Sequence, residues 1–339
     1  MEDSEYDDDM SSVRSGSPAP SLYSFHPSID ERLVLRNVHG RILNSQNETY
    51  MLPADVEEHQ RLDLQHQIYY LMLGESLYPA PDMVRTALRP RNDYQPAIFD
   101  VGTGSGSWAL DMAKEFPHCN VVGVDLAPIR VTGPLPDNVR FEIDDANLGF
   151  AHYRESFDVI HARAISAGIH DFKGLIGEFT DALRPGGILL LGDGEMQLYD
   201  ESKEALPALE PGEPGFSWTQ RVFFAAYNAM KSRGGSIDSP SLTPRWLQEN
   251  GHFTNIGWCK IFVPIGPWVE NASPRERQMA EMLRTNCLIH INGMAPLLLS
   301  EGYFPETVEK MQREAAIELQ SLQVHLYSRW NFAWGMKTP

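Results

Sequence analysis

The sequence predicts an α/β fold, a parallel sheet with helices on both faces, and three observations predict it. A β-favouring run, Ile98-Phe99-Asp100-Val101, enters the turn Gly102-Thr103-Gly104-Ser105-Gly106-Ser107, and a helical pattern begins at once with Trp108. From 97 to 193 short apolar runs alternate with helical patterns, the order that a parallel sheet requires. The chain has 339 residues, 42% of them hydrophobic and 10% aromatic, enough for one enlarged α/β unit with its own core.

The elements follow in chain order. Residues 1–28 carry Glu2, Asp3, Glu5, Asp7, Asp8 and Asp9 and then a Ser/Pro-rich stretch, a composition too polar to order itself, so a disordered acidic tail is expected. Residues 29–94 read as a mainly helical cap. Asp55, Glu57 and Glu58 suit the first turn of a helix that runs to Leu73 and stops at Gly74. After the glycine turn, Trp108, Ala109, Met112, Ala113 and Phe116 mark one helical face, and Pro117 ends it. Four further strands are expected at 121–125, 139–143, 157–161 and 183–191. An acid- and Pro-rich loop over 198–214 and an aromatic helix ending near Gly234-Gly235 make 197–240 a helical insert within a unit spanning 95–339. Thr243 as cap, Pro244 at the first helical position and Gly251 beyond the end predict another helix. A sixth strand over 256–263, helices over 273–299 and 305–322, and a last strand over 327–336 complete the reading.

Composition narrows the function. The formal net charge of −18 argues against direct binding to a phosphate backbone and favours small molecules or proteins as partners. No apolar run approaches the roughly 18 residues of a membrane helix, and the acidic N-terminus is unlike a secretory signal. Cys119, Cys259 and Cys287 are scattered and odd in number, which points to a reducing compartment with no disulfide frame and no zinc spacing, so no metal is expected.

The glycine turn carries the chemistry. Glycines let a ligand approach the backbone, and the helix that follows offers unpaired N–H groups. A dinucleotide fingerprint, G-x-G-x-x-G, would need a third glycine at position 107, where this chain has Ser107. The order is instead acid-x-G-x-G-x-G, which resembles motif I of the S-adenosylmethionine-dependent methyltransferases. The nearby acid suits an ammonium group, which that cofactor carries and a nicotinamide dinucleotide lacks. Asp125 ends the second strand 19 residues past Gly106, about the spacing at which a carboxylate reaches ribose hydroxyls. The strings Phe157-Asp158-Val159-Ile160 and Leu183-Arg184-Pro185-Gly186-Gly187 are similar to the same superfamily. The flanks, Tyr50-x-Leu52-Pro53-x-Asp55, Arg61-Leu62-Asp63-Leu64-Gln65-His66, Val263-Pro264-Ile265-Gly266-Pro267-Trp268 and His325-Leu326-Tyr327, resemble fungal LaeA-like methyltransferases.

That resemblance covers about residues 32–339 and implies a seven-stranded, Rossmann-like sheet. It implies S-adenosylmethionine as cofactor, bound by Asp100, Gly102, Thr103, Gly104, Gly106, Asp125, Leu126, Asp145 and Ala146, with the acid before a small residue accepting from the adenine amino group. The family includes tailoring enzymes that methylate metabolites and regulators of secondary metabolism that join velvet-type proteins. The expectation is methyl transfer to an oxygen or nitrogen of a secondary metabolite, the alternative a regulator working through a velvet-type partner. The cytoplasm is the expected location and the nucleus the alternative, although no basic cluster supports the latter.

A base is needed only if the acceptor is protonated. His161, ending the fourth strand, and His170, on the segment after it, are the candidate catalytic residues, each with a structural or surface role as the competing reading. Arg163 has three readings: pairing with an acidic acceptor, with Asp158 or with Asp171. The aromatic residues of 216–227, with Trp246 and Trp268, either roof an apolar substrate pocket or are plain core.

Overall fold

A computed structural model describes residues 33–130 and 133–339. The acidic tail expected over 1–28 lies outside the described residues. The chain opens with an antiparallel hairpin, β1 (Leu35–Val38) and β2 (Arg41–Asn44), where the sequence predicts a mainly helical segment. His39 and Gly40, both at positive φ (49° and 84°), make its two-residue turn. Histidine at the first turn position lacks the Asn-Gly or Asp-Gly signature by which such hairpins are recognised.

Helix α1 (Val56–Met72) starts where expected: Asp55 caps it by accepting from the Glu58 N–H and also binds Arg41 at 2.6 Å, tying hairpin to helix. It buries polar residues as well as apolar ones. Arg61 forms a buried ion pair with Glu58 at 2.7 Å and donates to the side-chain carbonyl of Asn286 on a later helix. A short helix α2 (Pro81–Ala87) follows.

The main sheet has seven strands. Its order is β5-β4-β3-β6-β7-β9-β8, parallel from β5 to β7, with β9 antiparallel to both its neighbours. These are β3 (Ala97–Val101), β4 (Asn120–Asp125), β5 (Val139–Ile143), β6 (Phe157–Arg163), β7 (Leu183–Tyr199), β8 (Phe253–Pro264) and β9 (Tyr327–Lys337). Every residue of β3 is buried, as expected of a central strand covered on both faces. Phe99 stacks on Phe157 with centroids 4.5 Å apart and meets Phe150 edge-on at 5.0 Å, fixing one face. Helix α3 (Ser107–Glu115), with Trp108, Ala109, Met112 and Ala113 buried, covers the other.

Helices α4 (Phe172–Ala182), α5 (Trp218–Ser232), α6 (Ser239–Asn250), α7 (Pro274–Gly293), α8 (Ala295–Ser300) and α9 (Pro305–Ser321) complete the layers. Three expectations are corrected here. Strand β7 continues to Tyr199, because β9 pairs with it beyond Leu191, with an irregularity between Gly194 and Leu198. Helix α6 begins at Ser239, not after Thr243; the Thr243 hydroxyl donates to the Ser239 carbonyl at 2.7 Å inside the helix, and Pro244 lies within it. Gly251, at φ 77°, does end it. The helix expected over 273–299 divides at Met294, just before Pro296.

The sheet reverses its order between β3 and β6, since β4 and β5 run to one side and β7 to β9 to the other. In open α/β sheets ligands bind beyond the carboxyl ends at such a point. The glycine turn leaves β3 there.

Candidate active site

The turn is held by backbone bonds. The N–H groups of Gly102 and Thr103 donate to the Val124 carbonyl at 2.9 and 3.0 Å, which lashes the end of β3 to β4. Gly102 and Gly104 lie at φ 68° and 58°. A Cβ on Gly102 would lie 2.2 Å from the Ile165 side chain, and one on Gly104 would lie 3.0 Å from Leu62 of α1. The turn therefore needs glycine for both conformation and space.

Around it is a cavity of about 820 Å³, part of it open to solvent. Gly102, Thr103, Gly104, Asp125, Leu126, Asp145 and Ala146 line it, so seven of the nine residues expected at the cofactor meet there. Asp125 accepts from the Gly104 N–H at 2.8 Å and the Ala127 N–H at 3.2 Å, and burial raises its pKa. Asp145 is engaged on both oxygens, by Asn147 and by Asn47 Nδ2 at 2.9 Å. Its neighbour Asp144 also lines the cavity, its pKa raised by burial.

Four expected site residues are placed elsewhere. Asp100 is buried beneath the turn, accepting from Thr103 Oγ1 at 2.6 Å on one oxygen and paired with His161 Nδ1 at 2.7 Å on the other. Its carboxylate does not reach the cavity where an ammonium group was expected. Gly106 packs against Phe141 and Ile129 and closes the turn rather than facing the cavity. His161 is buried on the α3 side of the sheet, 6% exposed, and burial lowers its pKa, so it is a neutral imidazole whose Nδ1–H donates to Asp100. His170 is exposed; its Nε2 meets Thr49 Oγ1 at 2.9 Å, and its N–H donates to the Asn147 side chain. Neither histidine lines the cavity, which corrects the placement of both beside the reacting atoms.

Several cavity residues went unassigned in the sequence. Tyr50 and, from α1, Leu62 and Gln65 form one wall. Leu62 and Gln65 are three apart, hence on one helical face, but no periodicity says that this face meets a turn some forty residues on. Arg163, Ala164 and Ile165 form the wall at the end of β6. The aromatic residues considered as a roof line none of this cavity. Phe223 is in the core, Trp246 stacks on Phe172, and Trp268 stacks on His325.

Titratable groups in the cavity are Tyr50, Asp125, Asp144, Asp145 and Arg163. Burial, with the charges of Glu58, Asp125 and Asp193 nearby, raises the Tyr50 pKa and keeps the phenol protonated. Backbone amides, a half-buried acid at the end of β4 and a second acid pair at the end of β5 make a site for an elongated polar ligand. S-adenosylmethionine fits it: Asp125 can accept from ribose hydroxyls, and the glycine turn leaves the space that a side chain would fill.

The comparisons with known proteins give the family. The methyltransferase-domain family matches residues 74–230. The secondary metabolism regulator laeA of Coprinopsis cinerea is 31% identical over 301 residues, 88% of this chain and 73% of that protein. The methyltransferase pytC of Aspergillus terreus is 31% identical over 291 residues, 85% of this chain and 83% of that one. The methyltransferase str2 of Strobilurus tenacellus is 27% identical over 269 residues, 79% and 90% of the two chains. At these identities over nearly the whole length, this chain belongs to the family of LaeA-like S-adenosylmethionine-dependent methyltransferases.

Proposed function

We propose that this protein transfers a methyl group from S-adenosylmethionine to an oxygen or nitrogen of a small secondary metabolite. The observation that carries the reading is the cavity at the reversal of the sheet, lined by the glycine turn, Asp125 and the Asp144-Asp145-Ala146 string. When bound there, the cofactor supplies a methyl group on a sulfonium, which leaves by in-line displacement. Asp125 is assigned to the ribose, Asp145 and Ala146 to the adenine end, and Tyr50, Leu62 and Gln65 to excluding water.

No histidine lines the cavity among the described residues, and the Tyr50 phenol is held protonated. Alignment then drives the reaction, an effect worth roughly 7–11 kcal/mol in well-oriented systems, and the proton of an acceptor O–H or N–H passes to solvent through the open side of the cavity. Tyr50 serves as a donor that orients the acceptor rather than as its base. The cap over 29–94 and the insert over 197–240 are read as the parts that adapt this core to its substrate.

Relatives that carry the name secondary metabolism regulator support a second reading, a regulator of secondary metabolism, and a velvet-type protein partner is proposed with it from the resemblance in the sequence alone. The cytoplasm suits the first reading and the nucleus the second. No helix of the described residues is long and apolar enough to cross a membrane.

Calorimetric titration with S-adenosylmethionine, followed by metabolite profiling of a deletion strain, tests the proposal. The enzyme reading expects micromolar binding and one accumulating metabolite that lacks a single methyl group. A protein that binds no cofactor would sink it. Broad changes across many metabolites, with a velvet-type protein co-purifying, would favour the regulator.

A further inference from the structure

We propose that Arg163 is a carboxylate-recognition residue of this cavity, its guanidinium positioned by a relay running from Asp111 through His66. The inference rests on the reading of the cavity as the cofactor site and names a contact within it. Arg163 is the last residue of β6. Ala162 pairs with Val101 across the sheet, so Arg163 emerges beside Gly102 at the start of the turn.

Its Nη2 donates to His66 Nδ1 at 3.0 Å. A guanidinium can only donate, so His66 Nδ1 is an acceptor and its proton sits on Nε2. That Nε2–H meets Asp111 Oδ2 at 3.0 Å, and Asp111, whose pKa His66 and Lys114 pull down to about 2, is ionised to receive it. The ring of Tyr69 lies under the guanidinium, 4.6 Å from its carbon. One edge of the fork is thus held by a neutral acceptor and one face by an aromatic ring.

The charge itself has no anionic contact partner. Among the described residues no carboxylate lies within ion-pair distance of Arg163. Of the partners that the sequence suggested, Asp158 binds Arg184 at 2.7 Å and Asp171 caps α4 by accepting from the Gly174 N–H at 2.8 Å. Asp100 is close enough to favour the charge, but His161 and Thr103 hold its oxygens. Arg163 is half-buried, so a charge left without an anion there forfeits part of its hydration with nothing in return. A planar fork is matched to a carboxylate, which it can bind through two parallel hydrogen bonds. The cavity offers two sources, the amino-acid end of the cofactor and an acidic acceptor. The place of Arg163 beside the turn favours the cofactor.

The test is calorimetry on the full chain with S-adenosylmethionine and with its decarboxylated analogue. The wild type should prefer the carboxylated ligand. Arg163→Met should lose about tenfold to a hundredfold in affinity for it, the range for charge-assisted bonds, and bind the decarboxylated ligand within about twofold of wild type. Retained binding of that analogue shows that the variant is folded. Arg163→Lys, a point charge without the fork, should fall between, and it carries the test if Arg163→Met does not fold. His66→Leu should reduce the same preference and His66→Gln, which keeps an acceptor, should restore part of it; a preference indifferent to His66 overturns the relay.

If Arg163→Met leaves both affinities unchanged, benzoate titrated onto protein saturated with S-adenosylhomocysteine tests the other source. Benzoate binding that depends on Arg163 assigns the carboxylate to the acceptor. No change with either ligand and no Arg163-dependent benzoate binding overturns the proposal. A wild type that binds neither cofactor form overturns the cofactor reading instead, a failure visible before any variant is made.

Discussion

The imidazole of His161 lies flat on the indole of Trp108, ring centroids 3.8 Å apart and planes inclined by 13°. The same ring donates to Asp100, which in turn receives the hydroxyl of Thr103 in the glycine turn. His161 thus supports the turn from below, through the acid that precedes the first glycine.

Replacing His161 with alanine should therefore cost stability rather than proton transfer. The buried Asp100 carboxylate loses one donor, a loss of about 1–3 kcal/mol, and the stack contributes roughly 0.5–1.5 kcal/mol more. Denaturant unfolding should show a lower midpoint at unchanged slope. Once an acceptor is identified, the pH profile of turnover should keep its shape in the variant; loss of a limb near neutral pH would restore His161 as a base.

Gly104→Val places a branched residue at φ 58°, with its Cβ 3.0 Å from Leu62. Such a backbone position costs about 1–3 kcal/mol for a non-glycine residue. Cofactor binding should disappear while circular dichroism keeps the native helix content. Adding Leu62→Ala relieves the contact but not the backbone, so the double variant should still fail to bind. Recovery of binding in the double variant would show that crowding alone is at fault.

Asp125 has two duties, toward the ligand and toward the turn. Its oxygens already hold the N–H groups of Gly104 and Ala127. Asp125→Ala should lower cofactor affinity by about tenfold to a hundredfold, the loss expected for charge-assisted bonds. Asp125→Asn keeps an acceptor and should retain more of the turn, so its loss should be the smaller. Equal losses in the two variants would mean that the charge on the ribose contact matters more than the turn. Unchanged affinity in both would remove Asp125 from the site.

Asp193 predicts a pH dependence. Burial raises its carboxyl from an ordinary 3.8 to about 6, against the pull of the Ser166 and Gly194 N–H groups. The folded chain then holds this proton more tightly than the unfolded one, so its contribution to stability is complete below about pH 4 and is lost as pH rises to about 6, by roughly 3 kcal/mol at most. His161, with its lowered pKa, works in the opposite sense at higher pH, its contribution falling as pH drops below about 6.5. The difference between wild type and Asp193→Asn isolates the first effect. Unfolding free energies at pH 4 and pH 6.5 should change less in the variant; an unchanged difference would mean that Asp193 titrates normally.

The sequence by itself determined the sheet, the turn and the cofactor. Strand β3 has a short run of apolar and β-favouring residues bounded by Pro96 and Gly102, and the neighbouring parallel strands carry similar short apolar runs, a local signal that needs no partner to be read. The turn was equally legible, because glycines alternating at 102, 104 and 106 favour the left-handed backbone found at Gly102 and Gly104. Tertiary structure decided which side of each strand faces the ligand. Alternation along a strand sends successive side chains to opposite faces, but a strand buried on both faces gives no polar contrast to tell them apart. His161 and Arg163, two residues apart in β6, share a face, and what separates them is depth along the strand: the packing of α3 buries the first against Trp108, while the second, at the end of the strand, reaches the cavity wall. The same holds for α1 itself, whose buried Glu58, Arg61 and His66 hide the apolar stripe by which a packed helix is read. Its partners, Asn286, Asp111 and Arg163, lie far along the chain, and the fold alone brings them together.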